Sequence, residues 1–225
     1  MIDLNADLGE GGADDEALLA LVTSCNIACG GHAGSDEIMR RSVELARAAG
    51  VAIGAHPGYE DRENFGRHEL NLPSQQVADL VARQVEKLSR IAGGDLHHVK
   101  PHGALYNQAN RDGILGAAVI EGIRKILPDT IIYALPNSAL SKAACTAGMQ
   151  VMAEGFADRL YQSDGSLRPR GEAGAVIIET PDAVDQALAL ARSGDIETLC
   201  IHGDAAHAVA MLRAIRGVLE KHGLL

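Results

Sequence analysis

Two side chains that can do chemistry, Lys100 and His102, stand two positions apart in the segment HVKPHGALY, residues 98–106. Residues two apart in an extended chain project to the same side, so the sequence predicts that the amine and the imidazole face one site. Pro101 cannot donate a hydrogen bond to a neighbouring strand, and Gly103 permits a sharp change of direction. We therefore place both side chains at the carboxyl end of a strand.

Further polar residues follow other apolar runs of the chain at the corresponding point. They are Asn5, Asp7, Glu10, Asn26, His32, His56, Glu154, Asp158, Arg159, His202 and Asp204. Because the carboxyl ends of parallel strands meet at one edge of an α/β fold, where ligands bind, we expect these side chains to converge. One histidine at a strand end is commonly structural, but four at equivalent places indicate a shared site. Four further histidines, His97, His98, His207 and His222, are interpreted as surface or helix residues.

Lys100 lies in an apolar run, where an unpaired ammonium is costly to bury. We expect it to face a carboxylate, Asp7 or Glu154, or an anionic ligand. Two chemistries fit such a site. In a metal hydrolase, Asp7, His32 and either His56 or His102 hold a divalent ion, and a second carboxylate takes a proton from water. In metal-free chemistry, Lys100 and the histidines bind and polarise a carboxylate or an amide. Residue types alone do not separate the two.

The elements that must position these residues alternate regularly along the chain. Seven short apolar runs are each followed by a segment of helical period, as in VAIGAHPG before the helix predicted over residues 74–94. In that helix Val77, Leu80, Val81 and Val85 recur at three- and four-residue spacing. Amphipathic helices between apolar strands are typical of a parallel sheet covered by helices. The pattern predicts a single domain over residues 1–225, either a closed β/α barrel or an open doubly wound sheet.

Composition narrows the classes of function. The 225 residues are 47% hydrophobic and 22% charged, which favours a globular fold over disorder, and the formal charge of −10 disfavours a nucleic-acid or anionic-membrane partner. The four scattered cysteines favour a reducing compartment, and no apolar run reaches membrane-spanning length, so we expect a cytoplasmic protein. The segment GGADD lacks the Lys-Ser/Thr of a phosphate-binding loop, so the chain shows no nucleotide motif of its own.

Six motifs give the chain a specific resemblance. They are DLNADLGE (3–10), NIACGGHAG (26–34), GAHPGYEDRENFGR (54–67), HVKPHGALYN (98–107), EGFADRLY (154–161) and IHGD (201–204). On these motifs the chain resembles the LamB/YcsF family, which supplies one of the three subunits of the bacterial ATP-dependent 5-oxoprolinase. The resemblance implies the seven-stranded parallel β/α barrel of the polysaccharide-deacetylase superfamily. It also implies that the chain works with two partner subunits, B and C, to open the lactam of 5-oxoproline to L-glutamate while ATP is hydrolysed.

The resemblance and the residue types together lead to a set of site predictions. The residues expected to act in catalysis are Asp7, Lys100, His102, Glu154 and Asp204. Those expected to contact the substrate are Asn5, Glu10, His32, His56, Arg159 and His202. The candidate ligands for a divalent metal are Asp7, His32 and His56. ATP is expected to be bound mainly by the partner subunits, because the chain has no phosphate loop.

Overall fold

The computed structural model describes residues 1–12, 14–94, 96–203 and 207–225. Within these ranges strands alternate with helices, as the apolar runs predict. The strands are β1 (Asp3–Leu8), β2 (Ser24–Ala28), β3 (Ala52–His56), β4 (His98–Val99), β5 (Ile131–Ala134), β6 (Val151–Phe156) and β7 (Thr198–Ile201). The helices are α1 (Asp15–Leu19), α2 (Asp36–Ala49), α3 (Ser74–Ile91), α4 (Gly103–Arg111), α5 (Gly113–Arg124), α6 (Ala139–Thr146), α7 (Thr180–Ser193) and α8 (Ala208–Lys221).

The sheet closes on itself. All the strands are parallel, each pairs with its successor, and β7 pairs with β1, with Asp3 opposite Thr198 and Asn5 opposite Cys200. The predicted seven-stranded β/α barrel is confirmed. An open sheet is excluded, because it would leave β1 and β7 as edge strands. Among the described residues, no helix is both long and apolar enough to cross a membrane.

The helices cover the outside of the barrel through their apolar faces. In α3 the predicted stripe is buried, including Val77, Val81 and Val85. Helix α2 starts where the Ser35 side chain accepts a hydrogen bond from the Ile38 backbone N–H, which satisfies one of the free donors of the first turn. These helices hold the strands in register, and the loops at the carboxyl ends of the strands are left to form a site.

The sequence pattern did not predict helix α4, which begins immediately after His102. Gly103 makes this possible, because its φ is 53° and a Cβ at this position would lie 2.7 Å from the Gly66 carbonyl oxygen. The chain therefore leaves β4 and enters a helix at once. As a result, Tyr106 of α4 lines the same cavity as Lys100 and His102.

The interior of the barrel is polar, whereas β/α barrels are commonly filled by branched apolar side chains. The Asp3 carboxylate accepts hydrogen bonds from the hydroxyls of Ser24 (2.7 Å), Tyr133 (3.0 Å) and Thr198 (2.6 Å). Above this layer, the Asn5 amide donates to the Thr198 hydroxyl at 2.7 Å. The inward-facing residues of the strands thus form a hydrogen-bonded column that leads up to the mouth of the barrel.

His98 corrects the sequence analysis, which interpreted it as a surface or helix residue. It is fully buried inside the barrel, with Nε2 2.7 Å from Asn26 Oδ1 and its ring stacked on Tyr133 at a centroid distance of 3.8 Å. The alternation that puts Lys100 and His102 on one side also puts His98 there, so the signal was present in the sequence. His97 is exposed, and His207 and His222 flank helix α8, as predicted.

We predict that Gly54→Ala destabilises the fold, because a Cβ at Gly54 would lie 2.1 Å from His98 Nε2. The buried ring has little room to move, so the free energy of unfolding should fall by about 1–3 kcal/mol, as for other overpacked cores. Urea denaturation followed by circular dichroism measures this. The matched control is Gly217→Ala in α8, where a Cβ meets nothing within 4 Å; it should leave the stability equal or slightly higher. A Gly54→Ala protein as stable as the parent would contradict the placement of His98.

Candidate functional site

Those predicted site residues that the structure describes meet at the carboxyl end of the strands, around a cavity of about 600 Å³. The residues that line it include Asp7, His56, Arg67, Lys100, His102, Tyr106, Phe156, Arg159, Leu167, Arg170 and His202. Arg159, Leu167 and Arg170 belong to the long segment between β6 and α7, which pairs with itself through two isolated bridges, Arg159 with Val176 and Tyr161 with Leu167. This segment forms one wall of the mouth.

Lys100 is the central cation of the site and is almost completely buried. Its Nζ lies 3.0 Å from Asp7 Oδ1 and 3.0 Å from Glu154 Oε1, and it also contacts Cys200 Sγ at 2.9 Å and Asn5 Oδ1 at 3.3 Å. Burial opposes the charge of the ammonium, but Asp7, Cys200 and Glu154 together raise the pKa of Lys100 well above its usual value. The predicted pairing with a carboxylate therefore involves both candidates at once.

Asn5 and Asn26 lie deeper in the barrel and support the ion group formed by Lys100, Asp7 and Glu154. Asn26 Nδ2 donates to Asp7 Oδ1 at 2.9 Å and to Asn5 Oδ1 at 2.8 Å, and Asn5 Nδ2 lies 3.3 Å from Glu154 Oε1. Burial disfavours the charge of Asp7, yet His56 and Lys100 hold the pKa of this carboxyl well below its usual value. Asn5 was predicted to contact the substrate; it is fully buried, and its side chain bonds to neighbours inside the barrel.

A second cluster, Glu10, His32, His56 and His102, lies beside the ion group. Glu10 Oε1 is 3.0 Å from His32 Nε2, 3.4 Å from His102 Nδ1 and 3.9 Å from His56 Nε2. The rings of His32 and His102 stack at 3.6 Å. One possible ligand atom from each of the four residues lies within 4.8 Å of the others, so the cluster has the dimensions of a metal site.

The backbone hydrogen bonds of two histidines fix one N–H group on each ring and leave the other nitrogen of each ring facing its neighbour. His56 Nδ1 lies 2.7 Å from the Lys100 carbonyl oxygen, and His102 Nε2 lies 2.9 Å from the Phe65 carbonyl oxygen. Because a carbonyl only accepts, each of these nitrogens carries the hydrogen. The other two nitrogens, His56 Nε2 and His102 Nδ1, face each other at 3.0 Å. Two lone pairs at this distance repel unless a proton or a metal ion lies between them.

The donor set fits a divalent metal. Burial and the neighbouring His56 lower the pKa of His32 to about 2, and burial, His32 and His56 lower the pKa of His102. Both rings are therefore neutral at pH 7, the state in which imidazole binds a metal. Three imidazoles and one carboxylate suit Zn²⁺ and related first-row ions, and backbone carbonyls commonly orient such histidines. The cluster shares His32 and His56 with the predicted ligands, while Asp7 lies beside it, with Oδ2 3.4 Å from His56 Nε2.

His202 and Asp158 form a pair on the opposite wall of the mouth. His202 Nδ1 lies 3.0 and 2.9 Å from the two oxygens of Asp158, and the ring stacks on Phe156 at 5.5 Å. Burial favours a protonated Asp158, but His202 holds the pKa of this carboxyl below its usual value. The carboxylate fixes a proton on Nδ1 and leaves Nε2 to exchange a proton with a bound ligand. From its sequence position His202 was expected to contact the substrate, whereas Asp158 was expected at the mouth without an assigned role.

Arg159 is held at the rim by backbone carbonyls. Its Nη2 donates to the Arg168 carbonyl at 2.6 Å and its Nε to the Ala175 carbonyl at 3.3 Å. Burial and the nearby Arg170 lower its pKa to about 10, so it remains a cation at neutral pH. The predicted contact of Arg159 with the substrate stays a prediction. Asp204, the remaining predicted catalytic residue, lies outside the described residues.

Sequence reasoning also missed Tyr106, Phe156 and Cys200. Tyr106 and Phe156 pack edge to face at 5.7 Å and give the cavity an aromatic wall. Phe156 and Cys200 were detectable, because they follow Glu154 and Thr198 at period two on β6 and β7. Tyr106 was not, because its approach to the site depends on the unpredicted helix α4.

We predict that Lys100→Met lowers the free energy of unfolding by about 3–5 kcal/mol, because it leaves Asp7 and Glu154 buried without a counter-charge. Burial alone raises a carboxyl pKa, so the folded variant takes up protons before the unfolded chain does, and the deficit should shrink as the pH falls into the carboxyl range. Urea denaturation at several pH values measures both effects. Lys125→Met removes an exposed ion pair with Glu121 and should leave stability unchanged. Equal stability of the two variants would contradict the assigned pairing.

We predict that the purified chain binds Zn²⁺ or a related divalent ion in a ratio of about one to one through the Glu10, His32, His56 and His102 cluster. His56→Gln and His102→Gln should each weaken binding by more than the roughly 10–100-fold loss typical of outer-shell changes. Calorimetric titration and elemental analysis of the dialysed protein measure this. The control is His222→Gln at the exposed end of α8. Equal affinity of parent and His102→Gln would exclude the site.

The chain is similar in sequence and in fold to proteins that are already known. The LamB/YcsF family model matches residues 2–225. The chain is similar to a lactam utilization protein from Thermus thermophilus, at 37% identity and a TM-score of 0.91, covering 99% of this chain and 97% of that one.

More distant structures share the fold alone. One is the catalytic domain of a peptidoglycan N-acetylglucosamine deacetylase from Eubacterium rectale ATCC 33656, at 12% identity and a TM-score of 0.53, covering 99% of this chain and 84% of that one. Another is an endo-beta-1,4-glucanase from Xanthomonas axonopodis pv. citri, at 14% identity and a TM-score of 0.52, covering 100% and 86%. The family model matches nearly the whole sequence, and the polar barrel mouth is built from the six motifs that carry the resemblance. The chain belongs to the LamB/YcsF family.

Proposed function

We propose that this chain is the lactam-binding subunit of an ATP-dependent 5-oxoprolinase, which opens 5-oxoproline to L-glutamate together with two partner subunits, B and C. The observation that carries the proposal is one cavity that combines a proton-exchanging pair, Asp158 and His202, with the buried ion group around Lys100 and a cationic rim at Arg159. A small anionic ring compound matches this combination. Family membership and the similar lactam utilization protein support the same assignment.

The stability of the lactam is the reason why ATP is needed, and the missing phosphate-binding loop is the reason why partner subunits are needed. A lactam is stabilised by resonance, and its carbon is more easily attacked when the amide oxygen carries a phosphoryl group. The chain has no phosphate-binding loop, so we assign phosphoryl transfer to the partners. This chain then binds the ring and directs water to it. Cys25, Cys29 and Cys200 are buried free thiols, which supports the proposed cytoplasmic location.

Each part of the mouth has a separate task in this proposal. Arg159 at the rim binds the substrate carboxylate. His202 takes a proton from the attacking water through Nε2 and passes it to the ring nitrogen as the C–N bond breaks, and Asp158 stabilises the imidazolium in between. The acyl phosphate that remains is hydrolysed by a second water to glutamate and phosphate. Lys100, held between Asp7 and Glu154, keeps a positive charge at the cavity, facing the lactam oxygen that carries the phosphoryl group. Glu10, His32, His56 and His102 would hold a divalent ion, which would supply Lewis acidity toward a carbonyl or water.

Reconstitution tests the proposal. The chain purified with its two partner subunits should release glutamate from 5-oxoproline only when ATP is present, and the chain alone should hydrolyse neither compound. In the complex, His202→Gln should lower kcat by about 10²–10⁴-fold, the contribution typical of a general acid or base, without changing the melting temperature.

The control for this experiment is His222→Gln, since His222 is exposed at the end of α8 and lies outside the mouth. It should leave the turnover unchanged. ATP-dependent glutamate release by the single chain would overturn the division of labour, and a His202→Gln complex with full turnover would overturn the role of that histidine.

A stand-alone metal-dependent amidase or carbohydrate deacetylase is the second candidate. The cluster of Glu10 and three histidines favours it, because a metal site of this kind activates water without ATP. One activity assay distinguishes the two candidate functions. A stand-alone hydrolase cleaves a model amide or an acetylated sugar in the presence of a divalent ion, with neither ATP nor partner subunits.

A further inference from the structure

His98 has a chemical environment that packing alone does not explain. Its ring lies inside the barrel between Tyr133, on which it stacks with an interplanar angle of 4°, and Gly54, which has no side chain to occupy the same space. The site described above uses Lys100 and His102 from the same segment but does not use His98. A buried imidazole two residues below the central cation must either fill space or orient something.

The contacts of Asn26 on its two sides define its amide orientation: the Asp7 carboxylate only accepts, so it faces Nδ2, and the amide oxygen faces His98. His98 Nε2 lies 2.7 Å from Asn26 Oδ1, and because an amide oxygen only accepts, Nε2 carries the hydrogen and donates it. The Nδ2 group of Asn26 must then point to the other side. There it donates to Asp7 Oδ1 at 2.9 Å and to Asn5 Oδ1 at 2.8 Å.

The orientation of Asn26 in turn determines how the Asp7 carboxylate is used. Asp7 Oδ1 receives two donors, Asn26 Nδ2 and Lys100 Nζ at 3.0 Å. This leaves Oδ2 turned toward His56 Nε2 at 3.4 Å. If the amide of Asn26 were reversed, its oxygen would face the carboxylate, and two acceptors would repel each other.

We propose that His98 is a positioning residue, which acts through the amide of Asn26 to hold Asp7 between Lys100 and His56 in the orientation that the reaction needs. His98 does not touch the substrate. Its effect on turnover rests on the proposed function, whereas its effect on Asn26 is a property of the chain itself.

The first experiment measures turnover in the reconstituted complex with ATP and 5-oxoproline. His98→Leu removes the donor and should lower kcat by tenfold or more with little change in KM, because the mouth that binds substrate is untouched. His98→Gln keeps an N–H donor on a flexible side chain and should recover a large part of the loss. A filler residue would give the opposite order, since Leu fills an apolar space and Gln does not.

A double-mutant cycle tests whether the effect passes through Asn26. In an Asn26→Leu background, His98→Leu should change kcat by less than twofold, because the amide on which His98 acts has gone. Tyr59→Phe is the control for loss of a buried hydrogen bond outside the mouth; Tyr59 donates to Gln108 Oε1 at 2.7 Å. Its effect should be the same in both backgrounds. Additive losses for His98 and Asn26 would overturn the proposal.

The second experiment needs no activity and separates this proposal from the proposed function. In ¹⁵N NMR spectra of the full chain, the side-chain NH₂ of Asn26 should exchange slowly with solvent in the parent. His98→Leu should speed this exchange by tenfold or more, and His98→Gln should restore much of the protection. If the complex shows no turnover but the exchange rates behave in this way, the 5-oxoprolinase assignment fails and the positioning of Asn26 stands. Equal exchange in parent and His98→Leu overturns the positioning role.

Discussion

The polar interior of the barrel depends on a single ammonium group held between two buried carboxylates. Lys100 gains its stability from Asp7 and Glu154, and the group of three charges carries one net negative charge inside the barrel. Such a group is stable only if its remaining donors and acceptors are satisfied. Asn5 and Asn26 supply hydrogen bonds to Glu154 Oε1 and Asp7 Oδ1 from inside the barrel, and His56 lies against Asp7 Oδ2 on the side of the mouth. The polar column in the barrel is therefore the support that the ion group requires.

Much of the architecture was predictable because it depends on local periodicity. Alternating apolar and helical segments gave the β/α order, and polar residues at the strand ends indicated which edge carries the site. The sequence also located the members of the ion group, because a lysine in an apolar strand has few possible partners. These inferences needed only the spacing of residues along the chain, and the closed barrel then brought Lys100 to Asp7, 93 residues away.

The remaining features depend on contacts between strands, which spacing does not reveal. The inward side of His98 follows from the same alternation as Lys100 and His102, but its partner Asn26, 72 residues earlier, does not. The set of possible metal ligands depends on which carboxylates approach the histidines; the structure brings Glu10 to all three, and Asp7 to His56 and Lys100. Tyr106 depends on a glycine with positive φ, which starts a helix where a loop was expected.

A polar barrel interior also changes how such a protein can diverge. In an apolar core, one aliphatic residue can replace another and the neighbours adjust by small shifts. In this barrel each inward residue is matched to its neighbours by donor and acceptor, so most single replacements leave a partner unsatisfied. His98 and Gly54 are matched by shape as well, since one occupies the space that the other leaves open. Sequence drift inside the barrel must therefore proceed by paired replacements, and the outer helices are where single changes can accumulate.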